Sequence, residues 1–383
     1  MTSDRHHKTS PGELALVFLK LGTTAFGGPA AHIAMMEDEV VRRRRWMTRE
    51  EFLDLLGAAN LIPGPNSTEL AIHIGHRQAG WTGLVVAGAS FIVPAMLIVT
   101  AFAWAYVRYG SLPAVAGVLY GVKPVIIVIV LQAFWALAKT AIKTNFLAVI
   151  GIAGVVLTWL GVHELLILAG AGLVVVLPRA FQGRSDRRLL SMGFVTEFAL
   201  LLQSTATAAS AFGLLPLFLF FLKVGAVLYG SGYVLLAFIR ADLVERWHWL
   251  TESQLLDAIA VGQVTPGPVF TTATFIGYVL GGYAGAMVAT LGIFLPAFCF
   301  VALSGPLVPR IRRSPAAGAF LDGVNVAALS LIVVVTYQLG RGSIVDITTL
   351  LIALISGFAL FRFRINSAWL VLGGAIVGWL IST

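Results

Sequence analysis

Charge is what this chain has least of. Of its 383 residues only 11% are Asp, Glu, Lys or Arg, while 58% are apolar. A soluble chain of this length needs about twice that charged share. With a mean hydropathy of +0.90, the sequence is that of a membrane protein. Cysteine is nearly missing too. Cys299 stands alone, which rules out an intrachain disulfide and any cluster of Cys metal ligands. No Walker-type Gly-rich loop ending in Lys-Ser/Thr is present, so the chain does not drive pumping by ATP. H-E-x-x-H and G-x-S-x-G are likewise absent, and neither a metal nor a cofactor is expected. No apolar core and A-x-A site follow the polar start Met1–Pro11, so it reads as an uncleaved cytoplasmic N-terminus.

What is present is long apolar runs. Leu84–Tyr106, Gly121–Leu137, Phe146–Leu160 and Ile344–Phe361 have the lengths of membrane-crossing helices, some near the short end. Alternating barrel strands are not seen. The net charge of +8 does not point to nucleic acid, because the basic residues sit in short clusters between apolar runs. Such clusters set orientation in a bilayer. With Arg42–Arg45 placed inside, the clusters at Lys139/Lys143, Arg179/Arg184/Arg187/Arg188, Arg310/Arg312/Arg313 and Arg362/Arg364 fall on the same side. Only Arg108, Arg240, Arg246 and Arg341 fall outside.

The chain repeats itself. F-L-K-L-G from Phe18, Trp46-Met47-Thr48, Leu53-Asp54 and Pro63-Gly64-Pro65 recur 203 residues later. The second copy reads F-L-K-V-G from Phe221, Trp249-Leu250-Thr251, Leu256-Asp257 and Pro266-Gly267-Pro268. The offset then slips to 202, where Gly75, Gly80, Gly83 and Pro94 match Gly277, Gly282, Gly285 and Pro296. Because Arg42–Arg45 is inside while its counterpart near Arg240 is outside, the halves are expected to be inverted. Inverted repeats with interrupted helices are the pattern of secondary transporters, with the site near the midplane. The expected architecture is all-α and polytopic: two inverted-topology repeats with broken, re-entrant helices. The expected division is a cytoplasmic tail over 1–12, a first repeat over 13–180, a linker over 181–213 that crosses once, and a second repeat over 214–383.

Each Pro-Gly-Pro should end one helix and start another, since proline lacks the N–H and clashes with the preceding turn. Asn66, Ser67 and Thr68 favour a helix start. A start inside the membrane presents free N–H groups and the positive end of a dipole, which attract anions. The second copy has Val269 and Phe270 in place of Asn66 and Ser67, leaving Thr271 and Thr272, so the two sites are chemically unequal. Lys20 and Lys223 lie in apolar stretches, each before a glycine-rich break, Gly27-Gly28-Pro29 or Gly230-Ser231-Gly232. An ionisable residue at such depth marks function. The two ammonium groups and two helix starts suit a doubly charged anion. Glu69 and His73, four apart on the half-helix after Pro65, can share a face and relay a proton. Lys123 matches Asn325 and can line the same cavity, while Thr48 with Glu51 reads as a capping box.

The stretches F-G-G-P-A-A-H-I-A-M-M from Phe26 and A-N-L-I-P-G-P-N-S-T-E-L-A-I-H-I-G from Ala59 resemble the chromate ion transporter family. So do V-G-Q-V-T-P-G-P-V from Val261 and Gly323-Val324-Asn325, in that family's second domain. The resemblance spans nearly the whole chain, in the long two-domain form. It implies export of chromate, a tetrahedral dianion, across the bacterial inner membrane, energised by the proton gradient or the membrane potential and conferring chromate resistance. It places the substrate on Gly27, Gly28, Pro29, Pro63, Gly64, Pro65, Asn66, Ser67, Thr68, Glu69, Pro266, Gly267 and Pro268. The residues alone say only an oxyanion, so sulfate is the alternative. A channel or membrane enzyme is disfavoured, because Glu69, His73, Asp54 and His32 form no usual catalytic set. A homodimer is compatible with the sequence, which does not give the oligomeric state.

Overall fold

The structure, a computed structural model, describes residues 9–110, 112–182, 211–229, 232–312, 314–363 and 365–382. Among these, the regular structure is entirely helical. The first half holds α1 (Pro11–Thr24), α2 (Gly28–Glu37), α3 (Arg49–Ala59), α4 (Asn66–Tyr109), α5 (Pro113–Ala141), α6 (Asn145–Trp159) and α7 (Glu164–Gln182). The second holds α8 (Leu214–Val227), α9 (Val234–Ile239), α10 (Glu252–Val264), α11 (Thr272–Arg312), α12 (Pro315–Ser343), α13 (Ile347–Phe363) and α14 (Ser367–Ser382). Wide π-helical turns extend α2 over Asp38–Arg43 and follow α9 over Arg240–Arg246. Most of the expected 181–213 linker, including its crossing, lies outside the described residues, as do positions 230 and 231 of the second glycine-rich break.

The short helices pair into hairpins that enter the protein and turn back. Fourteen residues make α1 about 21 Å long, too short to cross ~30 Å of hydrocarbon. It turns at Ala25–Gly28, where Gly27 and Gly28 take positive φ, and α2 runs back alongside it. Ion pairs Glu13–Arg44 (2.5 Å) and Lys20–Glu39 (3.4 Å) join the two arms. In the next hairpin, α3 starts at a capping box in which Thr48 and Glu51 satisfy each other's backbone N–H groups. It ends before the Pro-Gly-Pro turn, and the first arm of α4 (66–78) returns to the side of entry. There Arg77 pairs with Glu51, and Gln78 donates to the Trp46 carbonyl at 3.0 Å.

The helix α4 then folds on itself. Ala79 and Gly80 leave helical geometry, with Gly80 at φ 61°, and the second arm (81–109) packs back-to-back on the first. Gly75 and Gly83 allow this: a Cβ on Gly75 would sit 2.2 Å from the Gly83 carbonyl oxygen. The second half repeats the fold at Gly282 (φ 59°), with Gly277 against Gly285 and a Thr274–Thr290 hydroxyl bond of 2.8 Å. Gly285→Val should prevent these arms from closing, since even a Cβ there would lie 2.0 Å from the Gly277 oxygen. The expected readout is loss of folded, membrane-inserted protein.

The two halves are inverted. On the second arm of α4, Gly88 lies against Phe298, while Met96, Leu97 and Thr100 face Tyr283, Ala286 and Met287 across a groove. Ascending one arm is therefore descending its counterpart. Equivalent helices that run antiparallel are related by an axis across them, in the membrane plane. Among the described residues, four helices are long and apolar enough to cross: Asn66–Tyr109, with the fold just described, Pro113–Ala141, Val269–Gly305 and Pro315–Ser343. Exposed apolar side chains such as Ile152, Val149, Ile355 and Phe358 cover the outside, where lipid replaces water as their contact.

Candidate functional site at the meeting of four hairpin tips

The tips of the hairpins meet between the halves, held by a crossed pair of backbone bonds. Gly64 N–H donates to the Leu228 carbonyl at 2.8 Å, and Gly267 N–H donates to the Ala25 carbonyl at 2.9 Å. Position 228 is 25 plus 203, and 267 is 64 plus 203, so each bond is the image of the other. Both glycines have positive φ, 134° and 90°, which is why neither Pro-Gly-Pro carries a side chain at its centre. Irregular backbone at this depth is tolerated because each half satisfies the other's turn.

The polar groups differ between the tips. In the second half the chain turns its own hydroxyls inward: Thr271 Oγ1 donates to the Pro268 carbonyl (2.8 Å) and Thr272 Oγ1 to the Val269 carbonyl (2.8 Å). In the first half, no side chain caps the start of the 66–78 arm. Thr68 and Glu69 are fully buried and His73 nearly so. Thr68 Oγ1, both Glu69 carboxylate oxygens and His73 Nε2 make no hydrogen bond. The Glu69 carboxylate occupies the notch that Gly64 leaves open: a Cβ on Gly64 would be 2.3 Å from Glu69 Oε1. Ser67 is held by His32, whose Nδ1 lies 3.3 Å from Ser67 Oγ while its Nε2 lies 3.2 Å from the Ala25 carbonyl. His32 thus ties the first hairpin's tip to the second hairpin's return arm.

Beside this tip opens a cavity of about 240 Å³, lined by Asn60, Asn66, Thr140, Tyr229, Asn325 and, near its mouth, Lys143 with Asp322. Asn66 Nδ2 donates to Asn60 Oδ1 at 2.7 Å, and the Lys143–Asp322 pair spans 2.7 Å. The lining is rich in neutral amide and hydroxyl groups, which can bind an oxyanion without a fixed counter-charge. Of the site residues expected from sequence, the structure brings Pro63, Gly64, Pro65, Asn66, Ser67, Thr68, Glu69 and His73 together on one turn and arm. Pro266, Gly267, Pro268 and Thr271 form the opposing tip, and Gly27 and Gly28 the turn of the first hairpin. Lys20 and Lys223 do not line the cavity. Each is engaged by a carboxylate 19 residues ahead: Lys20 by Glu39, and Lys223 by Asp242 at 2.6 Å. Lys123 pairs with Asp257 (3.2 Å), while its repeat partner Asn325 does line the cavity.

Sequence reasoning missed Asn60, Thr140 and Tyr229. Asn60 had a local signal, a polar residue just ahead of the helix break. Tyr229 had none: its hydroxyl donates to the Leu61 carbonyl (3.3 Å) across 168 residues of chain.

A family model described as "Chromate transporter" matches residues 12–176 and again 215–379. The chain is 35% identical over 375 residues to a chromate transport protein of Cupriavidus metallidurans, covering 96% of this chain and 92% of that protein. It is 33% identical over 355 residues to a probable chromate transport protein of Synechococcus elongatus, covering 92% of this chain and 90% of the other. A half-size relative, the uncharacterized transporter YwrA of Bacillus subtilis, is 29% identical over 170 residues, 42% of this chain and 96% of that protein. No solved structure matches the chain to a significant level.

Proposed function

Because the chain belongs to the chromate transporter family, we propose that it is a secondary transporter that exports chromate across the bacterial inner membrane and so confers resistance to it. The observation that carries the mechanism is the buried, unpartnered Thr68–Glu69–His73 group at a helix break, next to a polar cavity shared by both halves. The basic face, with Arg42–Arg45, is assigned to the cytoplasm by the positive-inside bias. The cavity mouth at Lys143 and Asp322 is then the cytoplasmic entrance. The dianion enters there and is held at the start of the 66–78 arm, by the amide of Asn66 and the helix dipole. Glu69 and His73 take up a proton when the path opens to one side and release it to the other, which couples chromate to the proton gradient. An ionisable side chain buried without a partner is expensive inside a membrane protein, and it marks a functional role.

The test is chromate uptake into everted vesicles with and without an uncoupler. Uncoupler-sensitive uptake is expected; uptake unchanged by the uncoupler would overturn the coupling, and none at all would overturn the substrate. Competition by excess sulfate in the same vesicles separates a chromate carrier from a general oxyanion carrier. Asn66→Ala removes both the Asn60 bond and a cavity amide. It should raise the half-saturating chromate concentration about 3- to 10-fold, the usual worth of one neutral hydrogen bond.

A further inference from the structure

The inverted repeat says where the opposite-facing site must be. Inverted-repeat carriers change sides when the halves exchange conformations around a fixed centre. The residues that line the open cavity in one state then have counterparts that line the closed one. Asn325 corresponds to Lys123, Asn60 to Gln263 and Ile62 to Thr265. These counterparts sit toward the face opposite Arg42–Arg45, and here they are shut by a bridge between the halves. Lys123 Nζ contacts Asp257 Oδ1 (3.2 Å) and donates to Ser253 Oγ (2.7 Å), and Tyr106 OH donates to Asp257 Oδ2 (2.9 Å). Lys123 and Tyr106 belong to the first half, Ser253 and Asp257 to the second. Further along α10, the Gln263 side-chain nitrogen is buried and makes no hydrogen bond, while its Oε1 accepts from Tyr233 OH at 3.3 Å. On the open side the counterparts of Tyr106 and Lys123 are Val308 and Asn325, which carry neither the hydroxyl nor the ammonium of this bridge.

We infer that the protein has a second oxyanion vestibule on the face opposite the arginine-rich one, built on Lys123 and Gln263 and latched shut here by Asp257. When the latch opens, Lys123 exchanges the Asp257 carboxylate for the departing dianion. The two vestibules are unequal: on the entry side Asn60, Asn66 and Asn325 line the cavity and Lys143 is paired with Asp322, whereas on the exit side the Asn325 position is taken by a cation, Lys123. This rests on the transport reading above, but its test does not depend on flux.

The test uses a Cys299→Ser background with Thr265→Cys as reporter and a membrane-impermeant maleimide applied from outside to intact cells. Lys123→Ala and Asp257→Asn both break the bridge, and each should speed labelling about tenfold. Tyr106→Phe, which removes one hydroxyl and little volume, should speed it about threefold. External chromate should then protect the reporter in Asp257→Asn, where Lys123 is free, and not in Lys123→Ala. Unchanged labelling in all three variants would overturn the latch. Faster labelling with equal protection in Asp257→Asn and Lys123→Ala would overturn Lys123 as the anion's partner. Labelling as expected in a protein without chromate flux would count against the transport reading and leave the vestibule standing.

Discussion

Glu69→Gln is expected to abolish uncoupler-sensitive accumulation of chromate while leaving the protein folded and inserted. Glutamine matches the buried side chain in shape, and no hydrogen bond is lost, because neither carboxylate oxygen makes one. What disappears is a group able to carry a proton. A proton moving through ~100 mV supplies about 2.3 kcal/mol, or about a fiftyfold concentration ratio. The steady accumulation ratio in energised everted vesicles should fall by about that factor for each coupled proton lost. Facilitated exchange down a chromate gradient should persist, since Asn66 and the helix start remain. His73→Gln should weaken coupling less, as His73 is the more accessible of the two. Accumulation by Glu69→Gln at the wild-type ratio, still sensitive to uncoupler, would remove Glu69 from the mechanism.

The second large effect is expected at the crossed turns. In Gly64→Ala the new methyl would collide with the Glu69 carboxylate, at a φ of 134° that an L side chain rarely adopts. In Gly267→Ala the methyl would lie 2.5 Å from the Ala95 Cβ, at φ 90°. Backbone strain and overpacking together should cost about 2–4 kcal/mol at either position. Thermal inactivation in detergent is the readout, with Gly12→Ala as control, since nothing lies within 4 Å of a Cβ there. The variants should part in function: Gly64→Ala displaces Glu69 and loses coupling beyond its loss of stability, whereas Gly267→Ala loses stability alone. Wild-type stability in both would mean that the turns do not approach as closely as described.

Much of this architecture could be read from the chain. Two Pro-Gly-Pro breaks in register located both tips, and the Thr48–Glu51 box marked where α3 begins. The shift of offset from 203 to 202 fell ahead of Gly80 and Gly282, whose positive φ folds each long helix back. These features are local: proline, glycine and capping residues act on the backbone within a turn. The pairing of side chains was not legible. Lys20 and Lys223 were expected to face a doubly charged anion, because nothing in F-L-K-x-G announces the carboxylate 19 residues on, brought alongside by the turn of the hairpin. The contrast between the tips was half visible in Asn66 and Ser67 against Val269 and Phe270. The inward turn of the Thr271 and Thr272 hydroxyls, where Thr68 and Glu69 of the first half are left without partners, required coordinates.

The crossed bonds at Gly64 and Gly267 also dictate an order of assembly. Synthesis delivers the first tip to the bilayer some 160 residues before Leu228 exists to receive its amide. Until then the nascent chain holds an unclosed polar turn at mid-depth, which water or the insertion machinery must shelter. Closure is therefore a late event. Defects in the C-terminal half should appear as exposure and proteolysis of the N-terminal one.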